Sequence, residues 1–161
     1  MRRSRAQIRE EYMRLAICWA HVREFLFKKD PEHEHHGLPT KDELIKKFDQ
    51  KCGPASELLT GLQQAVNDFT LGLQEGIKNG DPDAVSLLSR YKKETGRNFF
   101  HDAGNSRKVV LKILKRGTIA NETEFYLLKE LLSDGDQTVF SAIQTTRAIE
   151  MIDCFEFGDV T

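Results

Sequence analysis

Between residues 8 and 26, large apolar side chains recur at alternating steps of four and three: Ile8, Tyr12, Leu15, Trp19, Val22 and Leu26. A helix turns once every 3.6 residues, so this spacing places all six on one face. A stripe of that kind needs a second apolar surface to cover it. Leu58, Leu62, Val66, Phe69, Leu73 and Ile77, with Leu59 and Ala65 beside them, supply one on a second long amphipathic helix. Two such rods commit the chain to an all-α fold.

The punctuation between the stripes agrees. Asp30-Pro31 ends the first helix, because proline disfavours the helical conformation at the residue before it. Thr40 with Glu43 forms a capping-box signal for a short helix reaching Lys51, and Gly53-Pro54 breaks it. Asn79-Gly80 stops the second long helix. Asp81 caps the next one, with Pro82 at its first position, Ala84, Val85, Leu88 and Tyr91 as its apolar face and Gly96 closing it. Residues 97–104 read as a connector with Phe99 and Phe100 exposed. Beyond it the pattern predicts a helix over 105–116, with Val109, Val110, Ile113 and Leu114 inward and Arg107, Lys108, Lys112, Lys115 and Arg116 outward. Asn121 and Glu124 mark another capping box, and Phe125, Leu128 and Leu132 face inward as far as Asp134-Gly135. A last helix is expected from Gln137 to Ile152, burying Phe140, Ile143 and Ile149, with the tail from Cys154 frayed or docked in extended form. The expectation is a bundle of about six to seven helices in antiparallel hairpins. Residues 1–161 form one domain with a weak sub-division near 96–105.

Composition narrows the class. With 39 % apolar and 30 % charged residues the chain is too apolar for a disordered protein. No apolar run approaches the ~18 residues a membrane span needs, so no membrane partner is expected. Arg14, His21, Arg23 and Glu24 interrupt the apolar pattern that a secretory signal requires, and Glu10 and Glu11 are unlike a mitochondrial presequence. Cys18, Cys52 and Cys154 are odd in number and far apart, so they form neither a disulfide framework nor a zinc signature; Cys18 reads as a small buried hydrophobe. The expected home is a reducing, bacterial cytoplasm.

Three places could carry chemistry. His33, His35 and His36, mixed with Glu32 and Glu34, sit between Pro31 and Gly37-Leu38-Pro39. Their spacing does not put imidazoles on one helical face, the flanking carboxylates favour the protonated form, and the stretch reads as a polar loop rather than a metal site. The segment Phe99-Phe100-His101-Asp102 resembles the doublet of metal-dependent HD-type phosphohydrolases. That resemblance implies His101 and Asp102 as metal ligands and a metal-bound water that attacks phosphorus. The chain departs from the pattern in having no histidine between His36 and His101 and in placing the doublet between Gly96 and Gly104. The basic helix 105–116, with Arg2, Arg3, Arg5 and Arg9, could touch nucleic-acid phosphate, but the helix that follows its turn is acidic and would be repelled. No phosphate loop or nucleophile elbow is present, and no cofactor is expected.

The remaining reading is an interaction protein. Residues 118–161 carry Glu122, Glu124, Glu130, Asp134, Asp136, Glu150, Asp153, Glu156 and Asp159 against only Lys129 and Arg147, in a chain whose net charge is −1. Phe125, Tyr126, Phe140, Phe155 and Phe157 interleave with these acids. An acidic face studded with aromatics suits fast capture of a basic protein, because opposite charge steers the encounter and aromatics anchor it. Proteins that neutralise basic toxins, the immunity and antitoxin factors, rely on the same physics. The reading selects Glu122, Glu124, Tyr126, Asp134, Asp136 and Phe157 as the partner-binding residues of a non-catalytic module. A homodimer stays open as well, given the near-heptad stripe of the first helix.

Overall fold

Ser4 starts the first helix: its hydroxyl accepts from the Gln7 amide, and the Gln7 side chain accepts in return from the Ser4 amide, which closes a capping box. From there α1 runs over Arg5–Lys29, about 37 Å of uninterrupted helix. The computed structural model describes residues 2–30, 37–104, 106–133 and 140–158, without the side chains of Ser106 and Arg107. Among the described residues the chain forms eight helices and no strand, and no helix is long and apolar enough to cross a membrane. After α1 come α2 (Lys41–Asp49), α3 (Ala55–Lys78), α4 (Pro82–Thr95), α5 (Phe99–Asp102), α6 (Ser106–Arg116), α7 (Glu122–Ser133) and α8 (Ala142–Phe157).

The protein is an all-α bundle built around α1, which packs on α2, α3, α4 and α5. Tyr12, Leu15, Trp19 and Val22 are buried, and Ile8 and Leu26 at the ends of the stripe are half-buried. The polar atoms that this burial removes from water find partners. The Tyr12 hydroxyl donates to the Leu44 carbonyl at 3.0 Å and Trp19 Nε1 to the Pro39 carbonyl at 2.8 Å, which pins α2 and its approach across α1. On α3, Leu59, Leu62, Val66, Leu73 and Ile77 are buried. The turn from α3 into α4 is tight: a Cβ at Gly76 would stand 3.3 Å from that of Ala84, and Gly80 has φ +74°. Asp81 caps α4 by accepting from the Asp83 amide, and Gly96 ends it in the left-handed region, where a side chain is strained.

Four sequence expectations give way. Residues 97–104 are not an open connector, because Asn98 caps the single turn α5 and both Phe99 and Phe100 are fully buried there. Phe99 meets Tyr91 edge-on at 5.3 Å, and α5 thereby wedges between α1, α4 and α6. On α4 the buried face is Ala84, Leu87 and Tyr91, with Val85 and Leu88 half-buried. The final helix starts at Ala142, behind a Ser141–Gln144 capping box, and continues through Cys154 to Phe157. Its buried residues are Ala148, Met151 and Ile152, while Ile143 and Ile149, expected inside, lie in solvent. Phe140 is buried just before the helix begins. The helical phase explains this: Ala148, Met151 and Ile152 share one face, and neither isoleucine is on it.

Candidate interaction surface

Helices α7 and α8 pack on each other, and α8 also touches α6. Phe155, near the end of α8, stacks on Phe125 in the first turns of α7 with ring centroids 5.1 Å apart. That contact brings the C-terminal end of α8 to the N-terminal end of α7. Tyr126 follows Phe125 and projects outward with 62 % of its surface exposed, and Phe157 is 73 % exposed. Glu122 is exposed on the first turn of α7, and Glu150, Asp153 and Glu156 are exposed along α8. Three of the six residues selected from the sequence, Glu122, Tyr126 and Phe157, therefore stand in solvent, the first two on α7 and the third on the side of α8 opposite Phe155. Asp134 and Asp136 lie outside the described residues.

Glu124 is different. Its side chain is buried, with one oxygen accepting from Arg116 and from the Ala120 amide, the latter at 2.8 Å, while its own amide donates to Asn121 Oδ1. Asn121 Nδ2 donates in turn to the Ile77 carbonyl at 2.6 Å, which ties the α6–α7 turn to the end of α3. Glu124 is thus not available to a partner; it closes the turn between α6 and α7. The capping-box spacing with Asn121 pointed to this role, and the count of acidic residues obscured it.

An open groove of about 360 Å³ runs beside Tyr126 and is lined by Glu122, Lys92 and Glu130, with Phe99 at its base. Its charges are partly matched, since Lys92 Nζ lies 2.5 Å from Glu130. Lys129 sits over the Phe125 ring at 5.1 Å, so the sole cation of α7 is held against an aromatic face. A larger groove, about 870 Å³, opens on the other side of α8 between Ile143, Arg147, Cys154 and the Thr118-Ile119 turn.

The His101-Asp102 doublet does not form a ligand pair. His101 is exposed, whereas the Asp102 carboxylate is buried and its Oδ2 accepts from the Tyr91 hydroxyl at 2.5 Å and from Arg97 Nε at 2.6 Å. The Tyr91 hydroxyl also lies 3.4 Å from Cys18 Sγ. Burial pushes the Cys18 thiol up to about 12 and raises the Tyr91 hydroxyl as well, so both keep their protons at neutral pH. A protonated, enclosed cysteine is not a nucleophile. Beside them His21 touches the Tyr91 ring edge-on at 4.9 Å and places Nε2 3.1 Å from Glu94, and burial lowers its pKa. This cluster is an internal polar brace joining α1, α4 and α5. Among the described residues, no three His, Cys, Asp or Glu side chains are placed to hold a metal. His33, His35 and His36 lie outside the described residues.

On the outer face of α6, Lys108, Lys112 and Lys115 are exposed, but Arg116 is drawn into Glu124. Arg9 pairs with Asp49 and Arg3 with Glu11, so two of the N-terminal arginines already have carboxylate partners. No protein-family model matches the chain, and neither does any curated protein or solved structure.

Proposed function

We propose that this chain is a non-catalytic protein-interaction module that captures a basic partner through the acidic, aromatic junction of α7 and α8, in the manner of an inhibitor or an immunity-type factor of a bacterial cytoplasm. The observation that carries the reading is the exposure of Tyr126 with Glu122 on α7 and of Phe157 with Asp153 and Glu156 on α8, two helices joined through Phe155 on Phe125. Large aromatics left in water and rimmed by charged residues mark contact sites more often than scattered single apolar residues do. Tyrosine and phenylalanine give contact area at small entropic cost because few rotors must be frozen. The surrounding carboxylates raise the association rate toward a cationic surface and repel acidic competitors.

The test is a tagged pull-down from lysate of the native cells at low and moderate salt, read by mass spectrometry, beside a Glu122→Lys/Tyr126→Ala/Phe157→Ala variant. The expected result is a stoichiometric basic protein whose recovery falls as salt rises and which the variant fails to retain. Equal recovery by the variant would remove this surface from consideration.

A further inference from the structure

On α8 a second series of residues repeats at steps of four and three: Ile143, Arg147, Glu150, Cys154 and Phe157. All five are exposed, Ile143 at 83 %. Steps of four and three are the heptad spacing of a helix seam, and here they fall on a face turned away from Ala148, Met151 and Ile152, which α8 buries in its own bundle. The bundle buries the first face, and the second borders the groove at the Thr118-Ile119 turn. Arg147 is the only lysine or arginine of α8, and among the described residues neither it nor Glu150 forms an ion pair.

We propose that this face is a homodimer seam, on which α8 of a second copy of this chain packs antiparallel about a twofold axis passing between Ala148 and Ile149. In that register four of the five residues meet a counterpart on the second helix. Arg147 lies opposite Glu150 of the second copy and Glu150 opposite its Arg147, so the two charged layers are attractive twice over. Ile143 lies opposite Cys154, which makes an apolar layer at each end. Antiparallel coiled coils form layers of this kind, and a twofold interface requires a surface complementary to itself. Self-complementarity also selects the occupant: a uniformly basic partner would meet Arg147 as a like charge in the middle of the seam, and a uniformly acidic one would meet Glu150. The Thr118-Ile119 groove beside the seam gives the second helix somewhere to settle. Phe157 falls opposite residue 140, outside the second helix, and stays at the rim of the seam. The dimer would then present two acidic faces, although the proposal does not depend on what those faces bind.

In this register the two helices overlap over residues 142–155, a contact about 21 Å long, which belongs among small, weak interfaces with micromolar affinity. The purified protein is therefore followed by sedimentation from about 1 to about 300 µM, the range such an interface requires. Wild type should shift from monomer to dimer across that range. Arg147→Glu and Glu150→Arg, each creating two like-charge layers, should raise the dissociation constant by roughly tenfold or more. The double exchange Arg147→Glu/Glu150→Arg should return it to within about threefold of wild type, because the facing pairs are restored. These side chains are exposed, so folding of the variants is checked directly by circular dichroism.

Register is read separately in a Cys52→Ser background. Oxidation with copper-phenanthroline should link an Ile143→Cys variant into a covalent dimer, the two thiols losing two protons and two electrons to the oxidant. The same treatment should leave the parent carrying Cys154 alone unlinked, because like positions then stand about 16 Å apart along the axis. A protein that stays monomeric throughout the range, a double exchange that fails to restore assembly, or efficient linking through Cys154 alone would each overturn the proposal.

Discussion

Replacing Asp102 with alanine tests whether the buried doublet is structure or chemistry. The carboxylate is buried and accepts two short hydrogen bonds, one from Tyr91 and one from Arg97. Removing it strands these donors unequally. The Arg97 side chain is 45 % exposed and can turn back to water, so its ion pair contributes little after solvent screening. Tyr91 is fully buried, and its hydroxyl keeps only the distant sulfur of Cys18. An unsatisfied buried hydroxyl costs about 1–3 kcal/mol, and losing a hydrogen bond to a charged acceptor falls in the same range. The two figures describe overlapping losses, so about 3 kcal/mol is the expected total for Asp102→Ala.

For a chain of this length that corresponds to a melting temperature lower by roughly 6–12 °C. The assay is urea denaturation followed by circular dichroism and by Trp19 fluorescence, with coincident transitions as the check on two-state behaviour. Asp102→Asn keeps an acceptor for Tyr91 and should cost about half as much. His101→Ala, at an exposed position on the same turn, should stay within about 0.5 kcal/mol of wild type. A destabilisation below about 0.5 kcal/mol for Asp102→Ala would refute the brace, because no buried donor could then have depended on it.

Glu124→Gln removes the charge that Arg116 and the Ala120 amide converge on, and should destabilise by about 2 kcal/mol in the same urea assay. Phe100→Ala empties a fully buried position beneath α5 and should cost about 3–5 kcal/mol. His21 is buried with a depressed pKa, so the unfolded chain takes up the proton first; stability is complete above pH 6.5 and falls as pH drops from there toward the folded pKa. Melting temperatures of wild type and His21→Phe, compared at pH 7.5 and pH 5.5, should show a smaller loss in the variant.

The helices were legible because their signals are local. The stripe from Ile8 to Leu26, the capping boxes at Thr40 and the Asp81-Pro82 start are written in residues close in sequence, and the structure builds all of them. The misreadings fall where tertiary context decides. Phe99 and Phe100 stand among Arg97, Asn98 and His101, so composition marks them as loop, and only their contact with Tyr91 explains their burial. From sequence Asp102 reads as a candidate metal ligand and Glu124 as part of an acidic face; burying a carboxylate is expensive, and the donors that offset the cost come from Tyr91, Arg97 and Arg116. The capping-box spacing with Asn121 signals Glu124, but no local pattern announces that Tyr91 will meet Asp102. Of the residues chosen for a partner, Glu122 and Tyr126 stand on a helix the sequence announces, whereas the sequence pattern leaves Phe157 in a tail beyond the last helix, and the contact of Phe155 with Phe125 has no local signal.

Helix α8 shows why apolar content alone misleads. Phe140, Ile143 and Ile149 made it look like a core helix, and a core helix should be enclosed by neighbours. The bundle encloses one side only, and Ile143 and Phe157 remain in water at a cost that scales with their exposed area. An ordinary surface helix would carry lysine or glutamate at those two positions and be more soluble for it. Charge does appear on the exposed face, as Arg147 and Glu150 in its middle, with apolar residues at either end. A face that served only to keep the protein dissolved would gain nothing from that order. An apolar end, a positive layer, a negative layer and a second apolar end are what a helix needs in order to recognise its own reverse.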